Sequence, residues 1–203
     1  MCLALLAPAM AEETVIAALG DSLTQGYGLA PADGLVPQLE GWLRDQGQDV
    51  RVINAGVSGD TTAGGLSRVA WTLTDDVDAM IVALGGNDLL RGIDPAESRA
   101  NLTGILDAAA EKGVAVLLVG MQAPGNYGPD FKRDFDAIYP ELAAVYDTAL
   151  YPNFFATLTE DLDQATAIQT YMQRDGIHPN PAGVLKITDA LGPSVLELIG
   201  RSK

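Results

Sequence analysis

Short apolar runs rich in β-branched residues recur along this chain and alternate with segments whose apolar residues return every three or four positions. Residues 14–19, 50–53, 79–84 and 114–119 are runs of the first kind, and 149–155 is a weaker fifth. Runs this short and this uniformly apolar predict strands buried on both faces of a parallel sheet. Between them, 35–46 presents Leu35, Leu39, Trp42 and Leu43 on one helical face. Asp94-Pro95-Ala96-Glu97 reads as a helix start, with a carboxylate at the N-cap and proline at the first helical position. That helix carries Leu102, Ile105, Leu106 and Ala109 and stops at Lys112-Gly113. Phe131, Phe135, Ile138, Leu142 and Val145 mark a further helix, expected to bend at Pro140. The last helix starts at Asn180-Pro181 and is expected to bend or break at Gly192-Pro193. This alternation implies right-handed crossovers and a three-layer α/β sandwich. With no internal repeat, low-complexity tract or linker in view, residues 12–203 read as a single domain.

Composition narrows the function. Of 203 residues 48% are apolar, which suits one sizeable core. A formal charge of -15, scattered rather than blocked, argues against nucleic acid and against adhesion to anionic lipid. The one cysteine, Cys2, permits no internal disulfide. With one histidine besides, only carboxylate-type metal sites remain, and no stretch has the spacing of a calcium loop, so no metal is expected. Residues 1–11 form an apolar run ending in Ala9-Met10-Ala11 before Glu12-Glu13, the hydrophobic region and small-x-small end of a secretory signal without its basic leader. A periplasmic or secreted protein maturing near Glu12 is expected; an ordinary buried segment or an anchor is the other reading. No other stretch is long enough to cross a bilayer.

The candidate chemistry falls at the ends of the predicted strands. Gly20-Asp21-Ser22 follows the first, Asn54 to Thr61 (with Ser58-Gly59-Asp60) the second, and Gly85-Gly86-Asn87-Asp88 the third. All three belong to one sheet edge, where ligands bind in open parallel sheets. Asp175-Gly176-Ile177-His178-Pro179 precedes the last helix and can return to that edge. A serine hydrolase needs a hydroxyl nucleophile, an imidazole to take its proton and a carboxylate to orient the imidazole. The lone His178 leaves such a mechanism one possible base.

Each motif is weak alone, but their order resembles the SGNH (GDSL) hydrolase family over nearly the whole chain. Gly20-Asp21-Ser22-Leu23-Thr24-Gln25-Gly26-Tyr27-Gly28 and Leu84-Gly85-Gly86-Asn87-Asp88-Leu89-Leu90-Arg91-Gly92 carry the resemblance to its bacterial thioesterase I, lysophospholipase L1 and arylesterase branch. Met121-Gln122, Asn126-Tyr127-Gly128 and Ile138-Tyr139-Pro140 add to it. The resemblance implies a flavodoxin-like five-stranded parallel sheet flanked by helices and a serine esterase without cofactor. It makes Ser22 the nucleophile, His178 the base and Asp175 its orienting partner. The oxyanion hole would comprise the backbone N–H groups of Ser22 and Gly59 and the side-chain amide of Asn87. Implied substrates are small aryl esters, acyl thioesters and lysophospholipids. Within the family, a carbohydrate or peptidoglycan O-acetyl esterase is the alternative; from another class, a flavodoxin-like binding module without turnover.

The neighbouring polar residues read as scaffold. Asp21 and Asp88 are expected to brace loops through backbone N–H groups, and Asp60 and Thr61 to cap a helix starting near Thr62. Arg91 either contacts an anionic substrate group or braces a loop, the second being preferred. Phe155 to Met172 reads as an acyl groove or lid, or as plain core.

Overall fold

The computed structural model describes residues 13–202, so the signal-like run 1–11 lies outside the described residues. Strands β1 (Thr14–Gly20), β2 (Val50–Gly56), β3 (Ala79–Ala83), β4 (Ala115–Val119) and β5 (Ala149–Tyr151) form one parallel sheet in the order β2-β1-β3-β4-β5. The helices are α1 (Ser22–Gln25), α2 (Leu35–Asp45), α3 (Thr62–Thr72), α4 (Gly86–Arg91), α5 (Pro95–Lys112), α6 (Pro129–Asp136), α7 (Ile138–Tyr146), α8 (Gln164–Tyr171) and α9 (Pro181–Arg201). One face of the sheet is covered by α2 and α9, packed on each other, and the opposite face by α3 and α5, with α7 beside α5. This is the three-layer α/β sandwich expected from the alternation, with the flavodoxin-like five-stranded parallel sheet that the resemblance implies.

The central strands behave as the pattern predicts, and all seven residues of β1 are buried. At the sheet edge, β2 departs from it: Arg51 and Asn54 are exposed, with Arg51 salt-bridged to Glu13 and Asp76. The strand also runs on to Gly56, absorbing residues expected in the following turn. At the other edge, β5 ends at Tyr151 because Pro152 has no N–H for the ladder. Gly120 then clasps the departing chain, donating to the Tyr151 carbonyl and accepting from Phe154 N–H.

Two proline effects differ from expectation. The break between α6 and α7 falls at Ala137, not at Pro140. Pro140 cannot donate to the carbonyl of Asp136 and its ring crowds that group, so the ladder fails one turn upstream. By contrast, α9 runs unbroken through Gly192-Pro193. Buried Leu191, Val195, Leu198 and Ile199 hold it, and Gly192 lies flat against Trp42, where a Cβ would meet the ring at 2.6 Å. Packing there outweighs one missing hydrogen bond.

The chain steps outward from β1 to β2 and then back across β1 to β3, so the order in which strands are added reverses between β1 and β3. Their carboxyl ends leave a crevice at this switch point.

Candidate active site

Each segment at this edge is shaped by a local device. Asp21 caps α1 by accepting the Leu23 N–H at 2.9 Å, and Gly26, in the left-handed region, ends the helix after one turn. Ser22 is thereby held on a single turn springing directly from β1. After β2, the Asp60 N–H closes a turn onto the Val57 carbonyl, and Gly59 within it has φ +85°. After β3, Gly85 takes φ +115°, and a Cβ there would collide with the Tyr139 hydroxyl, which donates to the Leu84 carbonyl at 2.8 Å. Only glycine fits this turn, which delivers Asn87 and Asp88 on the first turn of α4.

The fourth segment is a small hairpin clasped by a bridge between Met172 and Pro179. Within it, Asp175 Oδ1 accepts the backbone N–H groups of Ile177 and His178 at 3.0 and 3.1 Å. Asp175 Oδ2 lies 2.8 Å from His178 Nδ1, and His178 Nε2 lies 2.9 Å from Ser22 Oγ. The hydrogen bond with His178, helped by the Ile177 N–H, draws the Asp175 carboxyl down to about 2. Tyr27 tilts its ring over His178 with centroids 4.6 Å apart. Ser22, from the start of the chain, thus forms one hydrogen-bonded line with His178 and Asp175, three residues apart near its end.

Gly59 and Asn87 line the same cavity as Ser22 and His178. Neither the Ser22 nor the Gly59 backbone N–H has an acceptor among the described residues. Asn87 Nδ2 donates to the Asp60 carbonyl at 2.9 Å and to Asp21 Oδ2 at 3.2 Å. Burial pushes the Asp21 carboxyl up to about 6 against the lowering effect of the Leu23 N–H and Asn87. Asp88 is fully buried and accepts Thr62 N–H at 2.9 Å, Thr62 Oγ1 at 2.6 Å and Ser98 Oγ at 3.0 Å, tying α4 to the starts of α3 and α5.

The cavity has a volume of about 640 Å³. Beside these polar groups the lining is largely apolar, with Leu89, Met121, Phe155, Leu158, Ile168 and Met172. Residues 155–172 therefore divide between the two readings: Thr157 is buried and stays out of the lining, while Phe155, Leu158, Ala167 and Ile168 line the cavity. Among the described residues no three His, Cys, Asp or Glu side chains gather as metal ligands would.

One scaffold expectation is corrected. Thr61 caps α3 through the Gly64 N–H, but Asp60 does not; it pairs with Arg68 at 2.6 Å. Arg91 braces a loop, donating to the Gly59 carbonyl at 2.7 Å. Three roles escaped the sequence analysis. Arg68 ties the ends of β1 and β2 to the turn at Asp60, Tyr27 covers the imidazole, and Gln173 donates to the Tyr27 carbonyl at 2.8 Å and the Pro179 carbonyl at 3.0 Å, clipping the histidine hairpin to the serine turn.

The chain is similar to several known proteins. The sequence profile of the GDSL-like lipase/acylhydrolase family matches residues 18–184. The chain is 39% identical over 200 residues to esterase TesA of Pseudomonas aeruginosa, covering 98% of this chain and 96% of that one. It is 35% identical over 193 residues to the thioesterase 1/protease 1/lysophospholipase L1 of Escherichia coli, covering 94% and 87%. The crystal structure of AlinE4, an SGNH-hydrolase family esterase, superposes with a TM-score of 0.75 at 44% identity, covering 93% of this chain and 98% of that one. Among the described residues no helix is long and apolar enough to cross a membrane.

Proposed function

This chain belongs to the GDSL-like lipase/acylhydrolase family, and from that premise we propose that it is an esterase working through an acyl-enzyme on Ser22. The observation that carries the proposal is the line from Ser22 Oγ through His178 to Asp175, with links of 2.9 and 2.8 Å, opening into an apolar cavity. As Ser22 Oγ attacks the ester carbonyl, His178 Nε2 takes its proton. Asp175 stays ionised, accepts the Nδ1–H and steadies the imidazolium.

The carbonyl oxygen, now negative, faces the N–H groups of Ser22 and Gly59 and the amide of Asn87. Both amide hydrogens of Asn87 have acceptors in the free enzyme, so one bond must yield. The 3.2 Å contact to Asp21 is the longer and gives way to the oxyanion, while Asp60 keeps its hold at 2.9 Å. Collapse of the intermediate breaks the bond to the leaving alcohol or thiol, which takes the proton from His178. Water then attacks the acyl group with His178 again as base, and Ser22 recovers its proton as the acid departs.

The apolar wall suits the acyl chain, and the open rim the leaving group. Aryl esters, acyl thioesters and lysophospholipids are the substrates proposed, with residues 12–203 acting as one hydrolase domain and no cofactor taking part. The small-x-small end of 1–11 supports export to the periplasm or beyond, with maturation near Glu12. Turnover of p-nitrophenyl esters from acetate to palmitate, run beside Ser22→Ala, tests the scheme. The expected result is hydrolysis with an optimum longer than acetate that vanishes in the variant. Turnover surviving in Ser22→Ala would contradict it, and an acetate-only optimum would point to an O-acetyl esterase.

A further inference from the structure

We infer that Arg68, on α3 and outside the cavity, is the positioning residue that holds the oxyanion-binding face in register. The inference rests on the assignment of Gly59 and Asn87 above. A guanidinium presents its donors in a fixed planar fork. Arg68 spends three of them on three different segments: Nε on Asp60 Oδ2 at 2.6 Å, one terminal nitrogen on the Ala55 carbonyl at 2.7 Å, and the other on the Gly20 carbonyl at 2.8 Å.

These acceptors are not scattered. Gly20 ends β1 and immediately precedes Asp21 and Ser22. Ala55 lies at the end of β2. Asp60 follows Gly59, and its carbonyl is the one holding Asn87 Nδ2 at 2.9 Å. Gly20 also accepts the Val57 N–H at 3.0 Å, and Val57 in turn accepts from Asp60 at 3.1 Å. The turn that carries the Gly59 N–H is therefore enclosed in a ring of hydrogen bonds closed by one side chain. Arg91 grips the same turn from its outer side through the Gly59 carbonyl.

With side chains only 22% and 19% exposed, Arg68 and Asp60 are poorly screened by solvent, and bonds to a charged donor are among the stronger ones in proteins. A lysine, with one compact ammonium, cannot span three acceptors in a plane. An ordinary scaffold ion pair would weaken the fold and leave the chemistry of folded molecules intact. A positioning residue acts on kcat, because a misplacement of about 1 Å in a donor can lower rate about 100-fold.

Arg68→Met, Arg68→Lys, Asn87→Ala and the Arg68→Met/Asn87→Ala double variant, each checked for fold by thermal melting, separate the two. On a p-nitrophenyl ester of the preferred chain length, both single Arg68 variants are expected to lose about 10- to 100-fold in kcat with little change in KM or in the pH profile. The double variant should lose less than the product of the two single losses, since Arg68 acts in part through the Asp60 carbonyl that holds Asn87. Additive losses, wild-type kcat in the folded Arg68 variants, or loss of the fold even with lysine would each overturn the positioning role. Wild-type turnover in Asn87→Ala would instead overturn the oxyanion assignment on which it rests.

Discussion

The two walls of the cavity are built by opposite means. On the polar wall, Ser22, Gly59, Asn87 and His178 are fixed by caps, positive-φ glycines and carboxylates with named partners, while the Ser22 and Gly59 N–H groups find no acceptor among the described residues. On the apolar wall, Leu89, Met121, Phe155, Leu158, Ile168 and Met172 come from loops and short helices, and their side chains meet the cavity with no polar group to fix them. Hydrogen bonds are directional and fail abruptly when a partner is lost, whereas apolar contact scales with area. The polar wall should therefore respond to substitution by large steps in rate or stability, and the apolar wall by graded changes in preference.

Short of removing the nucleophile itself, the largest step should come from Asn87→Ala. Removing this proposed oxyanion donor is expected to lower kcat about 100- to 1000-fold while the thermal midpoint stays near that of the wild type. An unchanged kcat would remove Asn87 from the polar wall's function.

Next comes Asp88→Ala, which orphans the Thr62 N–H and two hydroxyls in a fully buried place. A loss of about 2–4 kcal/mol of unfolding free energy in urea titrations is expected. A change below about 0.5 kcal/mol would mean that this carboxylate does not pin the helix starts together.

Asp21 gives the polar wall a pH signature. Its carboxyl is raised from 3.8 to about 6 in the folded state, so the fold binds a proton there more tightly than the unfolded chain does. The resulting stability is fully present below about 3.8 and is lost as pH rises through about 6. Relative to Asp21→Asn, the wild type should lose on the order of 2–3 kcal/mol between pH 4 and pH 7. Parallel stability curves for the two proteins over that range would contradict the buried, perturbed carboxyl.

The smallest effect belongs to the apolar wall. Ile168→Ala removes methylene-scale contacts worth about 0.8 kcal/mol each, so the kcat/KM ratio between octanoyl and butyryl esters should shift only several-fold, with turnover of butyrate kept. A loss of turnover on every chain length would break the contrast between the walls.

The same contrast explains what could be read from the sequence. Buried central strands and the turns at Gly20-Asp21-Ser22 and Gly85-Gly86-Asn87-Asp88 carry local signatures, because each turn demands particular residues at adjacent positions. Arg68 carries none: two of its three acceptors are backbone carbonyls, which any residue provides. Its one sequence trace is a charge on α3 eight residues after Asp60, beside the buried Val69. Gln173 was silent for the same reason. At Ala137 and Pro193 the sequence showed the proline but not what would win, since the outcome rested on which carbonyl was crowded and on Trp42 packing against Gly192. The apolar wall was ambiguous because a side chain facing a cavity and one facing the core obey the same preference. Only the tertiary position of Phe155 and Ile168 separates them from Phe154.

The central claim is that the polar wall activates Ser22 through the lone imidazole. Intact-mass measurement after treatment with an alkyl phosphonate tests it most directly, with wild type, Ser22→Ala and His178→Ala in parallel. The account predicts one phosphonyl group per wild-type molecule, mapped to Ser22, none on Ser22→Ala, and strongly slowed addition on His178→Ala. Stoichiometric labelling of folded Ser22→Ala, or wild-type labelling rates without His178, would contradict it.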